Sequence, residues 1–173
     1  MTTPIYKATI GAYIRQVEAL SEILVKGREH FAANGIDADA FINESLIEDM
    51  NPFSFQIRTV CHQANCVESL KSGRASPPPA IDVSDYATLE SMLKDAAETL
   101  RATTPEELDG MLDNDVVFAF GEVKIPFKAL GYLTSFASTN FYFHVTTAYN
   151  LLRRKGVPIG KRDFLGALDM NFG

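Results

Sequence analysis

Apolar residues recur at alternating steps of four and three near the start of this chain. The repeat consists of Tyr6, Ile10, Tyr13, Val17, Leu20, Leu24 and Phe31, with Gly27 in the remaining slot. Steps of this kind place side chains along one face of a helix, as in the a and d positions of a helical bundle. Pro4 suits the first turn of such a helix, and Asn34-Gly35 suits its end. We therefore expect a long helix that packs against other helices.

Three later segments repeat apolar residues at the same helical period. The second helix is expected over 51–73, because Asn51-Pro52 combines a capping residue with a proline suited to the first helical position. The third is expected over 84–100, with Ser84 or Asp85 as its cap, and the fourth over 128–155, before Gly156. Four amphipathic helices in one short chain predict a four-helix bundle.

The connections between these helices carry signals of their own. A short helix is expected over 37–47, and an extended crossover over 74–83, which contains Ser-Pro-Pro-Pro. A short helical turn should start at Thr104. Apolar residues then alternate on both sides of Gly121-Glu122, as in a β-hairpin. The predicted fold is all-α, a four-helix bundle with a small β-hairpin between helices three and four. We expect one domain over 1–173, with the tail 156–173 packed on it.

Composition limits the classes of function. Hydrophobic residues make up 46% of the chain and charged residues 22%, as in ordinary globular proteins. The net charge of −6 argues against nucleic acid as a partner. No apolar stretch approaches the length of a membrane span, and no secretion signal is recognisable. Cys61 and Cys66 would lie about 140° apart on a helix, so they cannot bridge within it. We expect unpaired thiols and a cytoplasmic protein.

A histidine and an asparagine interrupt the apolar face of the predicted fourth helix. That face comprises Leu130, Leu133, Ala137, Asn140, His144, Ala148 and Leu151. Buried polar groups without partners cost about 1–3 kcal/mol each, so Asn140 and His144 form either a functional site or a structural polar pair. An imidazole can transfer protons near neutral pH. Candidate catalytic residues are therefore His144, Asn140 and Tyr149.

Several hydroxyl groups could complete a site around His144. Tyr142 and Thr147 lie on the same predicted helix, and Tyr13 lies on the apolar face of the first helix. Buried hydroxyls generally find hydrogen-bond partners, so each residue could equally belong to the core. We predict Tyr13, Thr147 and Tyr142 as ligand-binding residues.

Three stretches of this sequence resemble a known family. They are NPFSFQI at 51–57, NFYFHVTTAY at 140–149 and GVPIGKRDFLG at 156–166. Together they resemble the domain-of-unknown-function family numbered nineteen ninety-three, over nearly the whole chain. That family is grouped with the DinB and YfiT-like metalloenzymes. The resemblance implies a DinB-like four-helix bundle, often dimeric, and leaves the activity open, because fold alone does not define function.

The resemblance also suggests where a metal could bind. DinB-like relatives typically hold a divalent metal with one histidine on the second helix and two at i, i+4 spacing on the fourth. His144 matches the later fourth-helix position, Asn140 stands at the earlier one, and His62 is the only imidazole on the predicted second helix. An asparagine amide is a poor ligand for zinc or nickel. We therefore expect no firmly bound cofactor, with His144 and His62 as the ligands if Zn or Ni binds at all.

Three hypotheses about function follow. The leading one is a small-molecule-binding helical bundle, acting as a cofactor-free acid/base enzyme on a small organic metabolite through His144. The second is a DinB-like enzyme that depends on a divalent metal. The third is a non-catalytic dimeric interaction or structural protein, whose polar pair only fixes helix register. The expected partners are a small organic molecule and a second copy of the chain.

Overall fold

The computed structural model describes residues 3–170. Helices occupy most of this part of the chain, and a small sheet interrupts them. The elements before the crossover are α1 (Pro4–Ala8), α2 (Ile10–Asn34), α3 (Ala38–Phe41), α4 (Phe53–Ala64), α5 (Cys66–Ser72) and β1 (Arg74–Ala75). Those after it are α6 (Tyr86–Ala102), α7 (Pro105–Asp109), β2 (Asp115–Phe120), β3 (Val123–Lys128), α8 (Ala129–Gly131), a π-helical segment (Tyr132–Ala137), α9 (Ser138–Arg154) and α10 (Lys161–Leu165).

Four longer helices build the core. Helix α2 packs against α6, α6 against α4, and α4 against α9. Their facing side chains are almost fully buried, among them Leu20, Ile57, Leu93 and Val145. The prediction of a mostly helical fold with a small β element is therefore confirmed. The described residues form more helices than the four predicted from apolar periodicity, because short helices fill the connections.

The first and second predicted helices are each divided in two. Thr9 separates α1 from α2, and its hydroxyl donates to the Ile5 carbonyl at 2.7 Å. Asn65 separates α4 from α5 with φ −87° and ψ 22°, outside the helical range. The predicted end of the first helix is confirmed, because Gly35 adopts the left-handed conformation and its N–H donates to the Phe31 carbonyl.

Helix α4 begins one residue later than the Asn51-Pro52 signal predicted. Pro52 is its cap, and Asn51 does not cap the helix with its side chain. The first free N–H groups are satisfied by the preceding segment, since the amides of Phe53 and Ser54 donate to the carbonyls of Glu44 and Ile42, both at 2.9 Å. The predicted helix over 37–47 shortens to α3, which leaves those two carbonyls free to accept.

The predicted fourth helix contains a π-helical segment. Hydroxyls of Thr134 and Ser135 donate to carbonyls four residues earlier, and the hydroxyl of Ser138 donates to the Leu133 carbonyl at 2.7 Å. Such bonds compete with regular helical pairing, and the wider turn rotates the residues that precede it. Leu130, predicted to face inward, is consequently 44% exposed, whereas Leu133 is fully buried.

The predicted hairpin exists and gains a third strand. Strands β2 and β3 pair antiparallel around Gly121-Glu122, and β1, which follows α5 directly, pairs with β2 in parallel. The Val117 amide donates to the Gly73 carbonyl at 3.0 Å, so this amide points toward β1 and away from β3. Pro126 lies opposite Val117 in β3, and the two residues form a pair without hydrogen bonds between them. The ring nitrogen of Pro126 therefore faces the open edge of β3.

The segment after α9 lies against α2. The side-chain amide of Gln16 donates to the Phe164 carbonyl at 2.8 Å, and the rings of Tyr149 and Phe164 meet at 5.5 Å. The end of the predicted tail, 171–173, lies outside the described residues. Among residues 3–170, no helix combines the length and hydrophobicity that a membrane crossing requires.

Candidate functional site

His144 lies in the contact between α9 and α4. Its side chain is buried to about nine-tenths, with a relative exposure of 9%. Its Nδ1 atom lies 2.7 Å from Oε1 of Gln56, on the facing helix. The predicted partner Asn140, one turn earlier on the same helix, makes no side-chain hydrogen bond within residues 3–170. The polar pair thus joins two helices rather than two positions of one.

The carbonyl of Asn51 orients this pair. The amide nitrogen Nε2 of Gln56 donates to the Asn51 carbonyl at 2.8 Å. The other end of the amide, Oε1, is consequently an acceptor, and the imidazole facing it must supply a proton from Nδ1. Neutral His144 therefore carries its proton on Nδ1 and leaves Nε2 unprotonated.

Burial controls the charge of His144. Loss of hydration lowers its pKa from the usual 6.5 to about 4, because water stabilises the charged imidazolium better than the protein does. Gln56 accepts a hydrogen bond and carries no negative charge that would oppose this effect. His144 is therefore neutral at physiological pH and can act as an acceptor there.

The Nε2 atom of His144 has no hydrogen-bond partner among the described residues and is not completely buried. Within residues 3–170, Nε2 forms no hydrogen bond, and the only buried unpartnered side-chain oxygen or nitrogen is Oε1 of Gln63. Two aromatic rings stand edge-on to the imidazole, Phe55 at 5.9 Å and Phe143 at 5.1 Å between centroids. Phe143 is 56% exposed. An unprotonated nitrogen beside two phenyl rings can accept a hydrogen bond from a small flat molecule.

The predicted hydroxyl residues lie at different depths. Tyr13 is fully buried, stacks on Phe141 at 4.3 Å and shares a 2.8 Å hydrogen bond with Ser138. Burial raises the pKa of the Tyr13 hydroxyl above its usual value, and it also raises that of Tyr142. The Thr147 hydroxyl donates to the Phe143 carbonyl at 2.8 Å. Among the hydroxyl groups of these three residues, only that of Tyr142 lacks a hydrogen-bond partner within the described residues.

Tyr149 and Asn140 are both half-buried. Tyr149 packs its ring on Phe164, as described above. Neither side chain hydrogen-bonds His144, whose one protein partner among the described residues is Gln56. The roles predicted for these residues depend on a ligand that reaches both their polar atoms and Nε2 of His144.

The donors around His144 do not fit a zinc or nickel site. His62, the second predicted ligand, donates from Nε2 to the Ser76 carbonyl at 2.8 Å and holds the crossover on α4. Gln56 on the same helix instead meets α9. Within residues 3–170, no three His, Cys, Asp or Glu side chains converge on one point. One imidazole and two amides are a poor donor set for these metals.

The cysteines offer no reactive thiolate. Both Cys61 and Cys66 are free, in agreement with the prediction of unpaired thiols. Burial raises the pKa of each thiol to about 12, so both are protonated at neutral pH.

Gln56 is the site residue that sequence reasoning missed. It lies within the 51–57 stretch, between the inward residues Phe53 and Val60 at spacings of three and four. Both glutamines of α4, Gln56 and Gln63, are 2% exposed. A pair of amides seven residues apart on an otherwise apolar face was the available signal.

Five recesses of the described surface are lined by other residues. The largest, about 590 Å³, lies against the sheet and is lined by Arg74 and Lys124 among others. Another, about 240 Å³, lies between α4 and α6 beside Cys61. His144 lines none of these five recesses.

Comparisons with known proteins agree with the resemblance seen in the sequence. The model of the family described as "Domain of unknown function (DUF1993)" matches residues 5–165. The curated proteins contain no match to this chain. The crystal structure of a DinB family member protein from Shewanella denitrificans is similar, with a TM-score of 0.80 and 22% sequence identity over 97% of this chain and 95% of that one. At this identity the likeness shows a shared fold.

Proposed function

Because this chain belongs to the DUF1993 family, whose description assigns no activity, we propose its function from its own geometry: it binds a small organic molecule at the open nitrogen of His144. The observation that carries this proposal is the relay from the Asn51 carbonyl through Gln56 to Nδ1 of His144. The relay fixes the ring and its tautomer, so Nε2 is available to a ligand without reorganisation. The aromatic edges of Phe55 and Phe143 would contact the ligand's apolar part.

Proton transfer is the chemistry that this arrangement supports. A bound O–H or N–H group would first donate a hydrogen bond to Nε2 and then pass its proton there, leaving a ligand anion and an imidazolium. The Oε1 atom of Gln56 accepts the hydrogen bond from Nδ1–H in both the neutral and the charged state of His144. With a pKa of about 4, His144 is a weak base, so it takes a proton only from a ligand group of comparable acidity and returns that proton readily. It would be the catalytic residue, with Gln56 as a positioning residue.

Phenol and anisole form a matched pair of probes for this site. They share a flat ring, and only phenol has a hydroxyl that can donate to Nε2. We expect phenol to shift the NMR signals of His144, Phe55 and Phe143, and anisole to bind several-fold more weakly, because a hydrogen bond is worth about 1 kcal/mol net. Equal shifts from both probes would contradict a hydrogen-bonding site.

The variant His144→Ala should lose the preference for phenol over anisole. His62→Gln is the matched control, since it removes an imidazole that contacts the crossover instead. Thermal unfolding of each variant verifies that the fold is retained. A phenol preference that persists in His144→Ala would exclude Nε2 as its origin.

We further propose that the chain acts without a resident divalent metal, on the basis of the poor donor set around His144. Elemental analysis of protein purified without an affinity tag tests this. We expect less than one zinc or nickel ion per ten chains. Stoichiometric metal that is lost in His144→Ala would favour the metal-dependent alternative.

A second candidate function is that of an interaction module without catalysis. The cross-helix bond between Gln56 and His144 favours it, since such a bond can fix the register of α4 against α9. The two candidates differ in the effect of Gln56→Leu on ligands. Loss of the phenol preference supports a positioning role, and loss of stability alone supports a register role.

A further inference from the structure

One recess lies on the outer face of the sheet, apart from His144. Its volume is about 590 Å³, within the range of small-molecule sites. It is lined by Gly73, Arg74, Ala75, Ser76, Val117, Ala119 and Lys124. Val116, which neighbours Val117 in β2, is fully buried on the opposite face. Alternation along the strand therefore turns Val117 and Ala119 outward.

Small side chains form the floor of this recess. Gly73, Ser76 and Ala119 leave space that longer residues would fill, and the backbone of Ala75 lines the same recess. Gly73 has φ +69°, and a Cβ atom there would lie 3.0 Å from the Asp115 carbonyl. Glycine is thus required for β1 to approach β2 closely.

Two cations stand at the recess without acidic partners. Arg74 pairs in register with Val117, and Lys124 pairs with Ala119, so both flank the same floor. Within residues 3–170, neither side chain forms an ion pair or hydrogen bond. The nearby carboxylate of Asp115 is already bound to Lys128 at 2.7 Å. The net charge of the chain is −6, so the two unpaired cations form a local positive region on a negatively charged protein. Such a region favours the binding of an anion.

A smaller polar recess adjoins the first. It measures about 180 Å³ and shares Arg74 and Ser76 with it. Glu68 also lines the smaller recess, so this recess carries a carboxylate as well as Arg74. An anionic group is therefore favoured on the Lys124 side, and uncharged polar groups on the Glu68 side.

We propose that this sheet recess is a binding site for a small organic monoanion, a flat apolar body that bears one carboxylate. The body lies on Val117 and Ala119, the carboxylate lies nearest to Lys124, and Arg74 adds positive charge on the other side of the floor. The proposal is independent of the His144 site, because the two sites share no residue.

The probe is 2-naphthoate, compared with the uncharged 2-naphthamide. We expect naphthoate to shift the amide signals of Ala75, Val117 and Ala119, and naphthamide to bind at least fivefold more weakly. Arg74→Gln and Lys124→Gln should each weaken naphthoate binding roughly three- to tenfold, as expected for one charge at a partly solvated site. Raising the salt concentration from about 0.02 to about 0.5 M should weaken it further, through screening.

Lys94→Gln is the matched control, since Lys94 is exposed on α6 and does not line the recess. Ala119→Phe should fill the recess and abolish binding without unfolding, because Ala119 is exposed. Equal affinity for naphthoate and naphthamide, or unchanged binding in Ala119→Phe, would overturn the proposal. Naphthoate shifts that vanish in His144→Ala but persist in Lys124→Gln would also overturn it, by moving the site to α9.

Discussion

A buried imidazole that keeps one nitrogen free differs from a solvated imidazole mainly in its affinity for protons. For His144, burial lowers the pKa of the folded state to about 4, whereas an unfolded chain has the usual value near 6.5. Between these values the unfolded chain binds more protons than the folded one. Folding stability must therefore fall as the pH drops through this window.

We predict that the free energy of unfolding falls by about 1–3 kcal/mol as the pH drops from 7 to 4, through the titration of His144 alone. Urea unfolding across this range measures it. His144→Gln removes the titrating group. The free energy of unfolding of this variant should therefore fall by about that much less over the same pH range. Identical pH profiles for the two proteins would mean that His144 titrates normally when folded.

Gln56→Glu tests the contact between Gln56 and His144. A carboxylate at 2.7 Å from Nδ1 would favour the charged imidazolium. We predict that the pKa of His144 rises by at least one unit, as followed by NMR titration. Gln63→Glu, on the same helix without a contact to His144, is the control. An unchanged pKa in Gln56→Glu would show that the two side chains do not meet in solution.

The sequence was informative about His144 and uninformative about its partner. Apolar residues on both sides of His144 indicated an inward position, which the low exposure confirms. Spacing alone identifies neighbours on one helix, and it therefore favours Asn140 as the partner of His144. Gln56 is 88 residues away, and the pairing of two helices depends on tertiary packing that periodicity does not contain.

At the scale of elements, hydroxyl groups shape the helix that carries His144. Ser138 donates to the Leu133 carbonyl within the π-helical region and also meets the Tyr13 hydroxyl, at 2.7 and 2.8 Å. One serine thus links the irregular turn to a fully buried tyrosine. The turn sets the rotation of the preceding residues relative to α9.

We predict that Ser138→Ala destabilises the protein by about 1–3 kcal/mol, because it leaves the buried Tyr13 hydroxyl without a partner. Thermal or urea unfolding measures the loss. Tyr13→Phe in the same background should recover part of it by removing the orphaned hydroxyl. Thr139→Ala, at an exposed neighbour, is the control and should change stability little. A Ser138→Ala protein as stable as wild type would contradict the buried link.

Element ends were predictable where one residue type dictates the backbone. Gly35 and Gly156 both have positive φ and follow the helices that they were expected to end. The break at Asn65 was not predictable in this way, since its neighbours continue the helical period. Strand β1 was missed because it has two residues and exists only through its pairing with β2. The π-helical segment was signalled only by a cluster of serines and threonines.

For the whole molecule, the association of two copies stays a prediction. The open edge of β3 is a poor place for it, because Pro126 directs its ring nitrogen there and Lys124 and Lys128 flank it. Exposed apolar side chains elsewhere, such as Ile47 and Leu130, are better suited to contact a second copy.

We predict a homodimer, with a solution mass twice the 19.1 kDa of one chain. Light scattering after size-exclusion chromatography measures it over a range of concentrations. A mass of one chain at all concentrations would contradict the prediction.

The proposed role of His144 requires a neutral ring with one unprotonated nitrogen in the folded protein. Nitrogen-15 NMR of the imidazole reports protonation at each nitrogen separately, and a titration from pH 8 to pH 5 covers the range in question. We predict a neutral ring throughout, with the proton on Nδ1 and an unprotonated Nε2, as the contact with Gln56 and the pKa of about 4 require. A ring that carries its proton on Nε2, or that becomes charged above pH 6, would contradict it.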